Sequence, residues 1–162
     1  TTKSPMYYTA EIVKAKDPQA KTVFIGPCIA KRKEATYHNN VDYVMTFEEL
    51  GSILDGFDID VNKIEPYPMA FTSVKEAHGF AQDGGVTQAV KVFLDKANLQ
   101  ALKVANLNKK NIAMLKVYAK TGKCPAPFIE VMACEGGCAS GPCIRTDKNT
   151  SQRRMTAELN KR

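Results

Sequence analysis

The sequence predicts an α/β fold: a mostly parallel sheet with helices packed on it. Two observations carry this. Strand-like and helix-like segments alternate over much of the length, and few strand-like runs follow closely enough to close a hairpin. Helix ends are punctuated by caps, with Ser, Thr or Asn at the starts and glycine at the stops.

The elements follow in order. Ser4-Pro5 opens a first helix, with Ser4 as N-cap and Pro5 as its first residue. Met6, Ala10 and Val13 share one face of it, and Asp17-Pro18 ends it. Lys21 to Ile25 reads as a strand, and Pro27 stops it, so Cys28 falls on the loop leaving it. Val41 to Met45 is a second strand. Thr46 and Glu49 form a capping box that starts a helix ending near Gly56. Residues 57–72 read as a connecting segment. A helix follows from about Thr87 to Lys96, with Val86, Ala89, Val90, Phe93 and Leu94 as its apolar stripe. Leu102 to Leu107 is a strand. Asn108 caps a helix with Ile112, Leu115, Tyr118 and Ala119 facing inward, and Gly122 stops it. Phe128 to Met132 is the last strand. Residues 147–162 form a polar, basic C-terminal tail that is at most a surface helix.

The bulk numbers narrow the function. The chain has 162 residues, 44% hydrophobic and 25% charged, which are values of an ordinary globular domain. Its net charge of +6 is spread out, with short clusters at Lys31-Arg32-Lys33, Lys109-Lys110 and Arg153-Arg154. No aromatics interleave with them, so they read as solvated faces and not as a nucleic-acid surface. No apolar run reaches membrane-spanning length and no signal peptide opens the chain, so neither a membrane nor nucleic acid is an expected partner and a cytoplasmic location is expected. The chain opens without Met, on Thr1-Thr2-Lys3-Ser4, which reads as a processed chain or a piece of a larger protein.

The five cysteines are an odd count with no secretory signal, which favours metal binding or reactive thiols over a disulfide framework. Cys134 and Cys138 flank Glu135-Gly136-Gly137 just after the last apolar run. Such a turn aims two thiolates into one small space, and soft thiolates select iron–sulfur clusters, zinc or Cu(I). Cys28 likewise follows a strand. In open parallel sheets ligands gather beyond the carboxyl ends of strands, so both thiolates are expected at one edge of one sheet. Structural zinc usually shows two close cysteine pairs, and one is present here unless Cys143 joins it. Cys124 reads as a surface thiol, Cys143 as a free thiol or a substitute ligand, and His38 and His78 as surface residues.

Two motifs carry a resemblance. Pro27-Cys28-x-x-Lys31-x-x-Glu34, and Glu130-x-Met132-Ala133-Cys134-x-x-Gly137-Cys138, resemble the second and third signature motifs of the catalytic domain of [FeFe]-hydrogenases, the iron-only hydrogenases. Thr2-Lys3-Ser4-Pro5 resembles the segment that follows the first motif. The resemblance covers residues 1–146, read as a partial H-cluster domain of the iron-only hydrogenase catalytic fold. It implies a [4Fe–4S] cluster joined to a di-iron subcluster carrying CO, cyanide and a dithiolate. Cys28, Cys134 and Cys138 would be metal ligands, with Cys138 also bridging to the two irons. Lys31 would donate to a cyanide, Met132 would pack near the two irons, and Glu34 resembles a carboxylate of the proton path. The implied reaction is H2 ⇌ 2 H+ + 2 e−. The implied partners are H2 and protons, with a ferredoxin-like electron carrier or N-terminal iron–sulfur domains of the same parent chain.

Three departures qualify this. The first motif and its adjacent cysteines are absent. Gly26 replaces the methionine that usually precedes Pro-Cys. Ser140-Gly141-Pro142-Cys143 replaces a glycine-rich ending. The last two resemble divergent branches of the family assigned to sensing. With three family ligands, the chain alone is expected to hold no H-cluster and to be inactive. The alternatives are a hydrogen or redox sensor with slow turnover, or a hydrogenase-like iron–sulfur assembly protein.

Overall fold

A computed structural model describes residues 2–68 and 73–161. Of the connecting segment foreseen over 57–72, residues 69–72 lie outside the described residues. The chain divides into two compact units. One comprises Thr1–Pro66 with Pro142–Arg145, the other Tyr67–Gly141 with Thr146–Arg162.

The first unit begins with α1 (Pro5–Lys16), where the Tyr7 N–H donates to Ser4 Oγ as the capping sequence requires. Then come β1 (Val23–Gly26), α2 (Ala30–Tyr37), β2 (Tyr43–Thr46) and α3 (Phe47–Gly56). β1 and β2 pair in parallel, from Val23 opposite Tyr43 to Gly26 opposite Thr46, with α2 as the crossover. The capping box forms as expected: Glu49 N–H donates to Thr46 Oγ1, and Thr46 N–H donates to the Glu49 carboxylate. Met6, Ala10 and Val41 form the core, with Phe24, Ala35 and Val44 packed against it.

Asp42 knots this unit together. Its carboxylate accepts from the Thr22 N–H at 2.8 Å, from Thr22 Oγ1 at 2.9 Å and from Lys14 Nζ at 2.7 Å. It therefore joins α1 to the starts of both strands. These bonds, the Lys14 one foremost, hold its carboxyl far below the usual carboxylate range.

The second unit runs α4 (Lys75–Gly79), α5 (Gly85–Phe93), β3 (Ala101–Ala105), α6 (Lys109–Thr121), β4 (Phe128–Met132), a 3₁₀ turn at Cys138–Ser140 and α7 (Lys148–Asn160). β3 and β4 are parallel, from Ala101 opposite Phe128 to Ala105 opposite Met132, with α6 between them. Asn108 caps α6 through the Asn111 N–H, and Gly122 ends it in the left-handed region.

The described strands form two two-stranded sheets, not one. The expected single sheet edge is thus corrected: the strands leading to Cys28 and Cys134 belong to different sheets. Both expected helix stripes are narrower than read. Phe93, the last residue of α5, and Leu94, just past its end, are both exposed. Ile112 and Ala119 are exposed too, while Leu115 and Tyr118 are half-buried. Two helices, α2 in the basic cluster and the one-turn α4, start without a side-chain cap. The expected tail carries α7, whose Leu159 is buried.

Candidate functional site

In the first unit, β1 stops at Gly26 and Cys28 stands in the link to α2. Pro27 has no N–H to extend the ladder, so the chain turns there. Lys31, Arg32 and Lys33 sit in α2. Lys31 and Glu34 lie one helical turn apart and pair, Nζ to Oε2 at 2.5 Å. Ser4 Oγ donates to the other carboxylate oxygen of Glu34. Burial alone would raise the Glu34 carboxyl. The Lys31 and Ser4 hydrogen bonds outweigh it and hold the group below its ordinary value. Lys31, read as a donor to an anionic ligand, has a carboxylate partner within its own unit. Arg32, on the same helix, pairs with Glu49 of α3.

Cys143 reaches this same place from far along the chain. Its N–H donates to the Pro27 carbonyl at 3.3 Å. The thiol is buried, and that burial, with Glu48 adding to it, pushes its pKa up.

In the second unit, Met132 is the last residue of β4 and is half-buried. Cys134 and Cys138, also half-buried, follow on a tight turn. The Gly137 N–H donates to Cys134 O at 3.1 Å, and Gly136 and Gly137 both take positive φ. Gly137 is required twice over. Its φ is +77°, and a Cβ there would come within 2.7–2.8 Å of backbone atoms of Ala81, Gln82 and Asp83. α7 also braces the turn. Gln152 Nε2 donates to Gly136 O at 2.5 Å and to Ser140 Oγ at 2.8 Å, and Ser151 Oγ donates to Ala139 O.

The motif residues thus gather by unit. Cys28, Lys31 and Glu34 come together in the first, and Met132, Cys134 and Cys138 in the second. Among the described residues no three His, Cys, Asp or Glu side chains are grouped to hold a metal ion. In kind, the donors fit an iron–sulfur group, since the motif ligands are all thiols. In number, the motifs supply one from the first unit and two from the second.

Sequence reasoning missed several residues that shape these two places. Glu130 looks too polar for a core, yet it is only 3% exposed. Ser4 caps α1, and it also holds Glu34. Gln152 and Ser140 secure the cysteine turn. No local pattern marks these contacts. The one available signal was a carboxylate at alternate spacing before Met132, on the inward side of β4.

The family model described as iron only hydrogenase large subunit, C-terminal domain, matches residues 1–142. The chain belongs to this family. Curated relatives of this iron-only hydrogenase domain include proteins named as assembly factors and proteins named as hydrogenases. One is a "Probable cytosolic Fe-S cluster assembly factor" of Aedes aegypti, 26% identical over 98% of this chain and 45% of its own. Another is the periplasmic [Fe] hydrogenase large subunit of Nitratidesulfovibrio vulgaris, 28% identical over 96% of this chain and 47% of its own. The chain spans about half the length of these relatives. Among solved structures, the [FeFe]-hydrogenase HydA(deltaEFG) matches with a TM-score of 0.59 at 18% identity. It covers 95% of this chain and 57% of that one, and shows that the two share a fold. No described helix of this hydrogenase-like domain is long and apolar enough to cross a membrane.

Proposed function

We propose that this chain supplies the second and third cysteine motifs of an iron-only hydrogenase catalytic domain, and that its parent protein interconverts H2 with protons and electrons. One observation carries the reading: the first cysteine of each motif stands just past the carboxyl end of a parallel strand, Cys28 after β1 and Cys134 after β4. Cys28, Cys134 and Cys138 would hold an iron–sulfur cluster of the H-cluster type, which when bound supplies electron transfer and H2 heterolysis.

The chain's own residues would set the surroundings. Met132 and the Gly136-Gly137 turn bring Cys134 and Cys138 out of β4 at close spacing. Lys31 supplies a cation and Glu34 a carboxylate within one hydrogen bond, an arrangement able to hold and pass a proton. Electrons would go to a ferredoxin-like carrier or to further iron–sulfur domains of the parent. A cytoplasmic location follows the relatives named cytosolic, although one relative is named periplasmic.

Anaerobic reconstitution with iron and sulfide tests the ligand set. Serine at Cys28, Cys134 or Cys138 should each abolish the iron–sulfur absorbance that the wild-type chain develops, and serine at Cys124 should not. Absorbance indifferent to all three would sink the proposal. The chain alone should show no H2 evolution, having three of four family ligands.

A second reading is an iron–sulfur assembly protein. Two curated relatives carry that name, at 26% and 25% identity. Infrared bands of bound CO and cyanide in the parent protein would exclude it. A sensor with slow turnover, suggested by Gly26 and Pro142-Cys143, would show those bands but little electrochemical current.

A further inference from the structure

We infer that Cys28 and Cys143 form a redox-active thiol pair that closes a reversible disulfide. The two residues lie far apart in sequence but meet inside the first unit. The Cys143 N–H donates to the carbonyl of Pro27, whose peptide bond leads directly to Cys28, at 3.3 Å. Standard backbone dimensions then leave the two α-carbons about 7 Å apart or less. Disulfides bridge α-carbons at about 4.4–6.8 Å, so the backbone separation of the pair reaches disulfide range.

The two thiols differ in access. Cys28 is half-buried and reachable from solvent, while Cys143 is 7% exposed. That asymmetry assigns the order of events. The Cys28 thiolate attacks a low-molecular-weight disulfide such as glutathione disulfide, forms a mixed disulfide and releases one glutathione thiolate. The Cys143 thiolate then attacks the Cys28 sulfur and displaces the second. One protein S–S bond forms and one glutathione S–S bond breaks. The two protein thiols give up two electrons, and their two protons end on the two glutathione thiols. Excess dithiol reverses the sequence.

The consequence rests on the proposed function. A Cys28 sulfur held in a disulfide cannot bind iron, so oxidation of the pair would block cluster loading until it is reduced. Cys143 belongs to neither signature motif, and this gives it a role those motifs leave open.

The test uses the full 162-residue chain. It is incubated with glutathione disulfide without oxygen, quenched in acid, alkylated, digested and mapped by mass spectrometry. A cross-linked peptide joining Cys28 to Cys143 is expected, lost on dithiothreitol treatment and absent in Cys143→Ser. Cys124→Ser should leave it unchanged. Glutathione adducts alone, a Cys134–Cys138 cross-link in its place, or no oxidation would each overturn the inference. Should Cys143→Ser fail to fold, by circular dichroism, the wild-type peptide map still decides. Iron and sulfide uptake is then compared before and after oxidation. A reduced chain that loads and an oxidised one that does not support the gate. Equal loading of both overturns the gate. If the cross-link forms but even the reduced chain takes up no cluster, the thiol pair stands and the cluster reading falls.

Discussion

Glu130 of β4 caps the helix that contains Thr87. One carboxylate oxygen accepts the Thr87 N–H at 2.8 Å and the Thr87 hydroxyl at 2.5 Å. The other accepts the Gly84 N–H at 2.8 Å. A buried anion thus answers unpaired amides at the start of α5, where the helix dipole also favours negative charge. The bond runs from the strand that delivers the cysteine turn to a helix far back in the sequence.

Glu130→Gln keeps the shape but removes the charge, and turns an amide donor toward donors that need an acceptor. Hydrogen bonds to charged groups are worth about 1.5–3 kcal/mol each, so a loss of roughly that size is expected. The urea midpoint should fall with its slope unchanged. A variant as stable as wild type would show that these bonds add nothing.

Gly137→Ala asks for a left-handed residue with a methyl group against the Ala81–Asp83 backbone. Strain of that kind costs on the order of 1–3 kcal/mol before the steric overlap is counted. Thermal unfolding should shift down, and amide exchange in the Cys134–Ser140 turn should quicken. Alanine at Gly122, where nothing lies within 4 Å, should cost less.

Lys31→Met should raise the Glu34 carboxyl. Burial favours the protonated acid and would remain, while the strongest opposing hydrogen bond would go. Ser4→Ala should move it the same way and less far. Carboxylate carbon shifts followed by NMR through a pH titration give the direction. A titration left in place by Lys31→Met would mean the pair does not form in solution.

The first unit should lose stability in acid. Asp42, Glu49 and Glu34 all have depressed carboxyls, Glu49 to about 2 through Arg32 and the Thr46 N–H. A depressed folded value means the stabilisation is full above the unfolded carboxylate range, near pH 4, and is lost as pH falls through the folded values. Melting temperatures measured from pH 6 downward should therefore hold to about pH 4 and fall toward pH 2 and below. Asp42→Asn should lower the plateau and flatten the fall. An acid limb unchanged in that variant would remove Asp42 as a contributor.

The legible parts were local ones. Ser4, Thr46 with Glu49, Asn108 and Gly122 could be read because a cap needs partners only a few residues away. The cysteine motifs were legible for a similar reason: β1 and β4 each deliver a thiol just past their ends. The burial of Glu130 and the pairing of Ser4 with Glu34 were not legible. Each depends on a partner at long range, and the identity of one partner does not announce the other.

The sequence by itself determined which segments become strands, where α1, α3 and α6 start and stop, and which thiols leave strand ends. Backbone propensities and caps act over a few residues and need no fold around them. Only the tertiary structure decided that the strands part into two sheets, that Cys143 lies beside Cys28, and that a carboxylate expected outside is the buried cap of α5. Those outcomes come from burial and pairing between distant segments. There the cost of an unpaired buried polar group selects partners that local pattern cannot name.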